Sequence, residues 1–452
     1  MKKIVLMLSL VLLLVFSSVP AFAQSTNEII VAIDSVKVDF NENTGLPLVD
    51  ENYRTLVPFR KALETYGATV EWNNESRIAT AVKGEIKVEV PIDQSYIIVN
   101  GEQKSNDTAA KIINGKTYLP IRAVIEAFGS DVQWDQNLNT VVITTVPIDA
   151  KAIFTEANNK SYDWNNYDAD VLLKMSMPVK DDAGSVTQMN MDMKMYMTLF
   201  MKPSLKAKVN ASMVLNMMDQ EVIQPIMDMY MTSDDTSLIQ YMGMNDGTGK
   251  TTWMKMTTEN DMFANLLKYD AESIKANKEL TEKYIKDVKY FGKYPDKSGK
   301  VLLKLHYTMS GEIYNDMFGK YMEEMTSSTN EQEAMTAEMI KGLANGEFGD
   351  LSFIIYVDET TKEVVKYEMD LSNIIASMMS GMTELLGDIP AEELEMLKEM
   401  KASMTMEVLN VNKAKDFEIP KEALDAQEME EMVKQLEETA TETTTETTPQ
   451  DQ

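Results

Sequence analysis

Cysteine is absent from this chain of 452 residues. No disulfide can staple its domains, so their cores must hold by burial alone. The same absence removes a thiol nucleophile, a thiolate metal ligand and the cysteine of a lipid-anchored mature N-terminus. Histidine is almost as scarce. With His306 alone, the chain offers no convincing Ser-His-Asp set, no H-E-x-x-H zinc motif and no mixed histidine metal site. Positive charge is short as well: 43 Lys and Arg stand against 72 Asp and Glu, a formal charge of −29. A nucleic-acid partner needs a basic patch, and none is visible. Carboxylates are so plentiful that no catalytic pair stands out, and none forms a calcium-loop run. Gly243, Gly247 and Gly249 read as a hairpin turn before Trp253 rather than a phosphate loop. These absences describe a non-enzyme with no cofactor, no metal site and no transmembrane span in the mature chain.

What is present begins with an address. Lys2-Lys3, an apolar run over residues 4–16 and Ala21-Phe22-Ala23 form a basic region, a short hydrophobic region and a cleavage site. The run is too short for a comfortable membrane span. The expectation is a secreted, envelope-associated protein cleaved near Ala23, with 1–23 as the signal peptide. Methionine then disappears until Met175, and 35 of the 37 methionines lie from there onward. So abrupt a change, next to Val146-Pro147, predicts two domains, 27–145 and 150–424. The remainder, 425–452, is acidic and Thr-rich with little to bury, and is expected to be disordered.

The front domain says nearly the same thing twice. Arg54-Thr55-Leu56-Val57-Pro58-Phe59-Arg60, with Glu64, Gly67, Val70 and Trp72, recurs as Lys116-Thr117-Tyr118-Leu119-Pro120-Ile121-Arg122, with Glu126, Gly129, Val132 and Trp134. Equal spacing predicts an internal duplication. Pro58 and Pro120 fix an extended entry, helical apolar spacing follows, and Gly67 and Gly129 suit the helix ends. Arg60 and Arg122 read as structural, bonding carbonyls or pairing with Glu64 and Glu126 at i+4, ahead of a ligand-clamp role. Trp72 and Trp134 read as core anchors, ahead of sugar-stacking platforms. The motif resembles the domain named after the N-terminal stalk of copper amine oxidases. That resemblance covers about a quarter of the chain. It implies a small α/β repeat for surface attachment or spacing, with a cell-wall or surface component as the expected partner, and implies neither copper nor amine oxidation.

Beyond it, period-two alternation dominates. Met189, Met191, Met193, Met195 and Met197 occupy one face of a strand, and Met175 and Met177 hold the same phase before it. Met213 and Met217, then Met227, Met229 and Met231, then Met254 and Met256 continue the pattern. A large antiparallel sheet with one apolar and one wet face follows, with helices expected over residues 261–286, 314–344 and 373–401. Methionine is adaptable and polarizable, so the face reads either as a plastic core or as a groove for a flexible apolar ligand. The strand order, Trp253-Met254-Lys255-Met256 and Asp416-Phe417-Glu418-Ile419-Pro420 resemble the LolA/LppX-like lipoprotein-carrier half-barrels. That resemblance implies a lipid or acyl ligand held against those methionines. The fold expected is α+β, a duplicated stalk-like domain followed by an antiparallel half-barrel with helices over its apolar face. A rival chemistry is capture of Cu(I) by thioethers, against which the methionines are spread over many strands. A purely structural surface protein is the third reading. His306, on the polar phase opposite Leu303, Leu305 and Tyr307, is expected to be solvated.

Overall fold

Pairing between the two motifs organises the front of the molecule. The computed structural model describes residues 29–136, 138–180, 185–217, 220–233, 237–259, 270–313, 316, 349–372, 374–375, 399–429 and 431. The strand Thr55–Pro58 runs antiparallel to Lys116–Pro120, with Leu56 opposite Pro120, Val57 opposite Leu119 and Pro58 opposite Tyr118. These residues hold matching places in the two motifs, so the pairing is symmetric about Val57 and Leu119. Each strand enters a short helix, α1 (Phe59–Thr65) or α2 (Ile121–Ala127), which buries Phe59, Ala62 and Leu63 or Ile121, Val124 and Ile125.

Both helices stop on a glycine at positive φ, +90° at Gly67 and +84° at Gly129. Gly67 and Ala68 donate their N–H groups to Glu64 O and Leu63 O, and Gly129 and Ser130 donate to Glu126 O and Ile125 O. These bonds satisfy carbonyls that a helix end otherwise leaves free. A hairpin follows each helix. Thr69–Asn73 and Ile78–Lys83 extend into a five-stranded sheet with Ile86–Pro91, Tyr96–Val99 and Glu102–Ser105. Asp131–Asp135 and Thr140–Thr144 instead recruit Ile30–Ile33, which lies parallel to Thr140–Thr144. Thus the first described strand finishes the second unit's sheet, and both units share one core.

The rest of the chain is built on eleven strands. Along the chain they are β1 (Asn166–Lys180), β2 (Val186–Phe200), β3 (Lys206–Met217), β4 (Gln220–Ser233), β5 (Ser237–Asn245) and β6 (Thr251–Glu259). After them come β7 (Ile285–Pro295), β8 (Val301–Met309), β9 (Leu351–Asp358), β10 (Val364–Asp370) and β11 (Lys401–Leu409). They form a single sheet in the order β6-β5-β4-β3-β2-β1-β11-β10-β9-β8-β7, curled as a half-barrel. The last strand therefore sits in the middle, between β1 and β10.

Strands dominate and helices are few, so the molecule is more nearly all-β than the expected α+β. Of the three expected covering helices, α4 (Ala271–Tyr284) falls in 261–286 and packs Leu280 and Tyr284 on the sheet's apolar core. The other two, over 314–344 and 373–401, lie almost wholly outside the described residues. A helix the sequence reading omitted, α3 (Ala150–Ser161), covers the apolar face over β7–β10. Asp149 caps it, accepting from Ala152 N at 2.9 Å. Its signal was legible: Ala150, Ile153, Phe154 and Ala157 follow helical spacing behind an Asp N-cap.

The opposite face is not uniformly wet. On β4–β6, Tyr230 and Tyr241 pack with Ala423 of α5 (Lys421–Leu424), alongside Trp253, Phe417 and Ile419. The chain then follows the outer edge of β6, where Lys255 N donates to Gln427 O at 2.9 Å and Thr257 Oγ1 bonds Glu428 at 2.8 Å. The segment expected to be a free tail from 425 is therefore anchored through Met429, which is buried. Such a strap covers edge N–H and C=O groups that would otherwise invite another strand.

The glycines that end α1 and α2 make a direct test. A Cβ at Gly67 or Gly129 would touch nothing within 4 Å, so the cost of alanine is purely that of the left-handed backbone. Gly67→Ala and Gly129→Ala should each destabilise by about 1 kcal/mol in denaturant unfolding of the whole chain. No loss at either position would contradict the backbone assignment.

Candidate functional site

Register turns the sequence alternation into rows that cross the sheet. Across β1 and β2, Met177 faces Met189, Met175 faces Met191, Leu173 faces Met193, Val171 faces Met195 and Ala169 faces Met197. Across β2 and β3, Met193 meets Met213, while Met195 and Met197 meet Ala211 and Val209. Ala211, Val209 and Ala207 then face Met227, Met229 and Met231 of β4. Met229 and Met242 face each other, Met242 faces Met254, and Met256 lies opposite Gln240. Met217 ends β3 opposite Gln220. On the other side of β1, Met404 and Met406 of β11 face Leu173 and Val171.

From β1 to β4, large and small side chains alternate in the rows through Met195 and Met197, with Ala169, Val171, Val209 and Ala211 between the methionines of β2 and β4. Elsewhere methionine meets methionine directly, as in Met229–Met242–Met254 and Met175–Met191. Directly opposed side chains lie about 5 Å apart, and a concave face crowds them further. Small residues make room for the long flexible ones.

Burial is graded along the strands. Met195 and Met197 are 3% and 2% exposed, Met229 and Met231 are equally sealed in the core, and Met256 is also buried. Met175, Met193, Met227 and Met254 are half-buried against that core. Met177 and Met191 are also half-buried but do not join it, and Met189 reaches 42% exposure. The apolar face is therefore closed at one end and open at the other. One polar group interrupts it: Gln240, 1% exposed between Met231 and Met256, whose Oε1 has no hydrogen-bond partner among the described residues. An orphaned acceptor of this kind costs about 1–3 kcal/mol.

In the front domain, the residues picked from the motif surround the helix ends. Arg60 Nη1 donates to Val70 O at 3.4 Å and to Glu64 at 3.2 Å. Arg122 Nη1 donates to Val132 O at 2.6 Å and lies 3.6 Å from Glu126. Each guanidinium ties its helix to the strand after it. Trp72 and Trp134 pack half-buried on the shared core, and Trp134 Nε1 bonds Gln136 at 2.8 Å.

A second constellation, not anticipated from sequence, joins the two domains. Lys304 of β8 is 1% exposed and forms an ion pair with buried Asp135 of the front domain. Tyr294 and Tyr356 flank its ammonium, with ring centroids 5.7 and 5.9 Å away. Beside them Lys366 pairs with buried Glu368. Burial, then the Glu368 charge and its hydrogen bond, push the Tyr356 phenol up. Lys293 N donates to Ser35 Oγ at 2.7 Å, where β7 bulges through Gly292 at φ +100°. A Cβ there would stand 3.1 Å from Ser35 Oγ.

His306 occupies the expected phase but is not solvated. It packs edge-on against Phe291, centroids 5.7 Å apart. Burial holds its imidazole below the usual range. Lys289 and Lys304 add to that effect, and Asp287 and Asp135 oppose it. The outer surface of β7–β10 is an interface, which is why strand phase alone misjudged it. Among the described residues, no group of three or more His, Asp or Glu is placed to hold a metal ion. No described helix is long and apolar enough to cross a membrane.

Residues 32–143 match the family described as Copper amine oxidase N-terminal domain. That stalk is non-catalytic, and no catalytic family is indicated. A protein from Brevibacillus choshinensis described as "Protease inhibitor" is 26% identical over 154 residues, 32% of this chain and 47% of that protein. The chain thus covers about half the length of that curated relative. Among solved structures, a DUF1329 family protein from Desulfovibrio piger aligns over 60% of this chain and 95% of its own, at 8% identity and a TM-score of 0.19. Likeness at that level supports no argument about fold or function.

Two expectations follow from the domain junction. Lys304→Met strands the Asp135 carboxylate in a buried site and should destabilise by about 3–5 kcal/mol, whereas Lys304→Met with Asp135→Leu should recover most of the loss. Equal losses in single and double variants, by calorimetry, would contradict the pairing. For His306, the unfolded chain binds its proton before the folded one as pH falls. Its stabilising contribution is present above about pH 6.5 and lost on acidification below it. His306→Gln should flatten the dependence of unfolding free energy on pH in that window.

Proposed function

We propose that this chain is an exported, non-catalytic envelope protein whose half-barrel takes a flexible apolar ligand, a lipid or acyl group, at the open end of its methionine face. The observation that carries this reading is the gradient of burial along β1–β4. The same row of side chains runs from sealed core to accessible surface. Methionine suits that surface because an unbranched thioether repacks around varied shapes where leucine or valine would fix one.

The front domain, in this proposal, is a duplicated module serving surface attachment or spacing. Its Arg60 and Arg122 serve the fold, because both are engaged with their own helix and strand. Residues 1–23 act as the cleaved signal. The relative named a protease inhibitor agrees with a binding role in general terms.

Native mass spectrometry of the mature protein, purified gently from its own secretion, tests this directly. The expected result is a polypeptide beginning after Ala23 with a discrete added mass that extracts into organic solvent. A bare polypeptide whose mass stays unchanged after incubation with fatty acids and lysolipids would overturn the ligand reading and leave the methionine face as core.

A further inference from the structure

The open end of the methionine face contains a group of side chains that packing does not explain. β11 ends its pairing with β1 at Ser176 opposite Lys401, and β3 begins its described pairing with β2 at Asp192 opposite Val214. Beyond those points β1 and β2 remain paired with each other out to Lys180 and Val186, as β3 and β4 do out to Met217 and Gln220. At the base of this stretch stand two directly opposed pairs, Met175 with Met191 and Met177 with Met189. All four point to the same face, because opposed residues and residues two apart share a side. Met177, Met189 and Met191 do not join the packed core, and Met175 touches only its margin.

We propose that Met175, Met177, Met189 and Met191 form a binding site for a soft monovalent metal ion, Cu(I) in particular. Opposed side chains start about 5 Å apart across the ribbon and about 7 Å apart along it. Three rotatable bonds let each thioether turn toward a common point above the ribbon. Sulfur ligands of this type select Cu(I), and the absence of nearby imidazole or thiolate leaves a neutral all-thioether set that discriminates against Zn(II) and Cu(II). The scattering of methionine along the sequence argued against such a site. Register reverses that argument by bringing Met175, Met177, Met189 and Met191 into one quartet at the less buried end of the face.

A second quartet provides the contrast. Met227, Met229, Met242 and Met244 also oppose each other in two pairs, but Met229 and Met242 are sealed in the core. The thioethers of Met229 and Met242 are committed to packing, which leaves only Met227 and Met244 of that quartet outside the sealed core.

The test is an anaerobic titration of the full mature chain with Cu(I) in ascorbate, against bathocuproine disulfonate as competing chelator. The unchanged chain should retain about one equivalent. M175L/M177L/M189L/M191L should lose about tenfold or more in affinity, while M227L/M244L keeps it. Leucine preserves apolar volume, so the thermal unfolding of the quadruple variant should match that of the unchanged chain, which separates loss of the thioether ligands from loss of the fold. Should the quadruple variant fold poorly, Ag(I) titration of the unchanged chain with 13C-methyl methionine should move four methyl resonances first. Uptake equal in both variants, no competition with the chelator, or shifts spread over every exposed methionine would overturn the proposal.

Discussion

The pairing of β11 between β1 and β10 is the contact on which the rest of the large domain depends. It joins residues 166–180 to residues 401–409, more than two hundred positions apart, and converts two separate meanders into one curled sheet. Met404 and Met406 on that strand are buried against Leu173, Val171, Met369 and Tyr367. Without it, β1 and β10 would each present an unpaired edge beside exposed methionine. The entropy of closing so long a loop rises only slowly with its length, so the cost is one of folding rate more than of final stability.

The methionine rows and the domain junction solve two different packing problems. Inside the curve, the requirement is to fill a tapering space, and alternation of methionine with Ala207, Val209 and Ala211 meets it without a rigid jigsaw. At the junction, the requirement is definite orientation. A buried ion pair between Lys304 and Asp135, boxed by Tyr294 and Tyr356, is costly unless both partners meet, which fixes how the front domain sits on β7–β10. The deformable surface and the rigid one lie on opposite faces of the same sheet.

Much of this was legible in the amino-acid order. Period-two alternation marked β1–β4, β6 and β11, because one-sided burial imprints alternation directly, while β5 went unread. Pro58 and Pro120, with Gly67 and Gly129, marked the entry and exit of α1 and α2 through backbone constraints that few other residues satisfy. What was not legible depended on partners far along the chain. His306 and Lys304 alternate like solvent-facing residues, yet Lys304 is buried where Asp135 docks and His306 is half-buried against Phe291. The end of the strap, residues 425–429, reads as a polar tail until it is seen to follow the edge of β6. The Met175–Met191 and Met177–Met189 pairs were invisible because register, unlike period, cannot be read from one strand.

The central position of the last strand has a temporal meaning. A chain that emerges N-terminus first presents the front domain, then β1–β6, then β7–β10, and each of those two runs can form as a separate meander on arrival. The gap beside β1 must wait until residue 409 is free. During that interval the methionine face is a sticky, half-made surface, and any helper that shields nascent apolar edges would have its natural client here. Truncation anywhere before 401 would make that waiting state permanent.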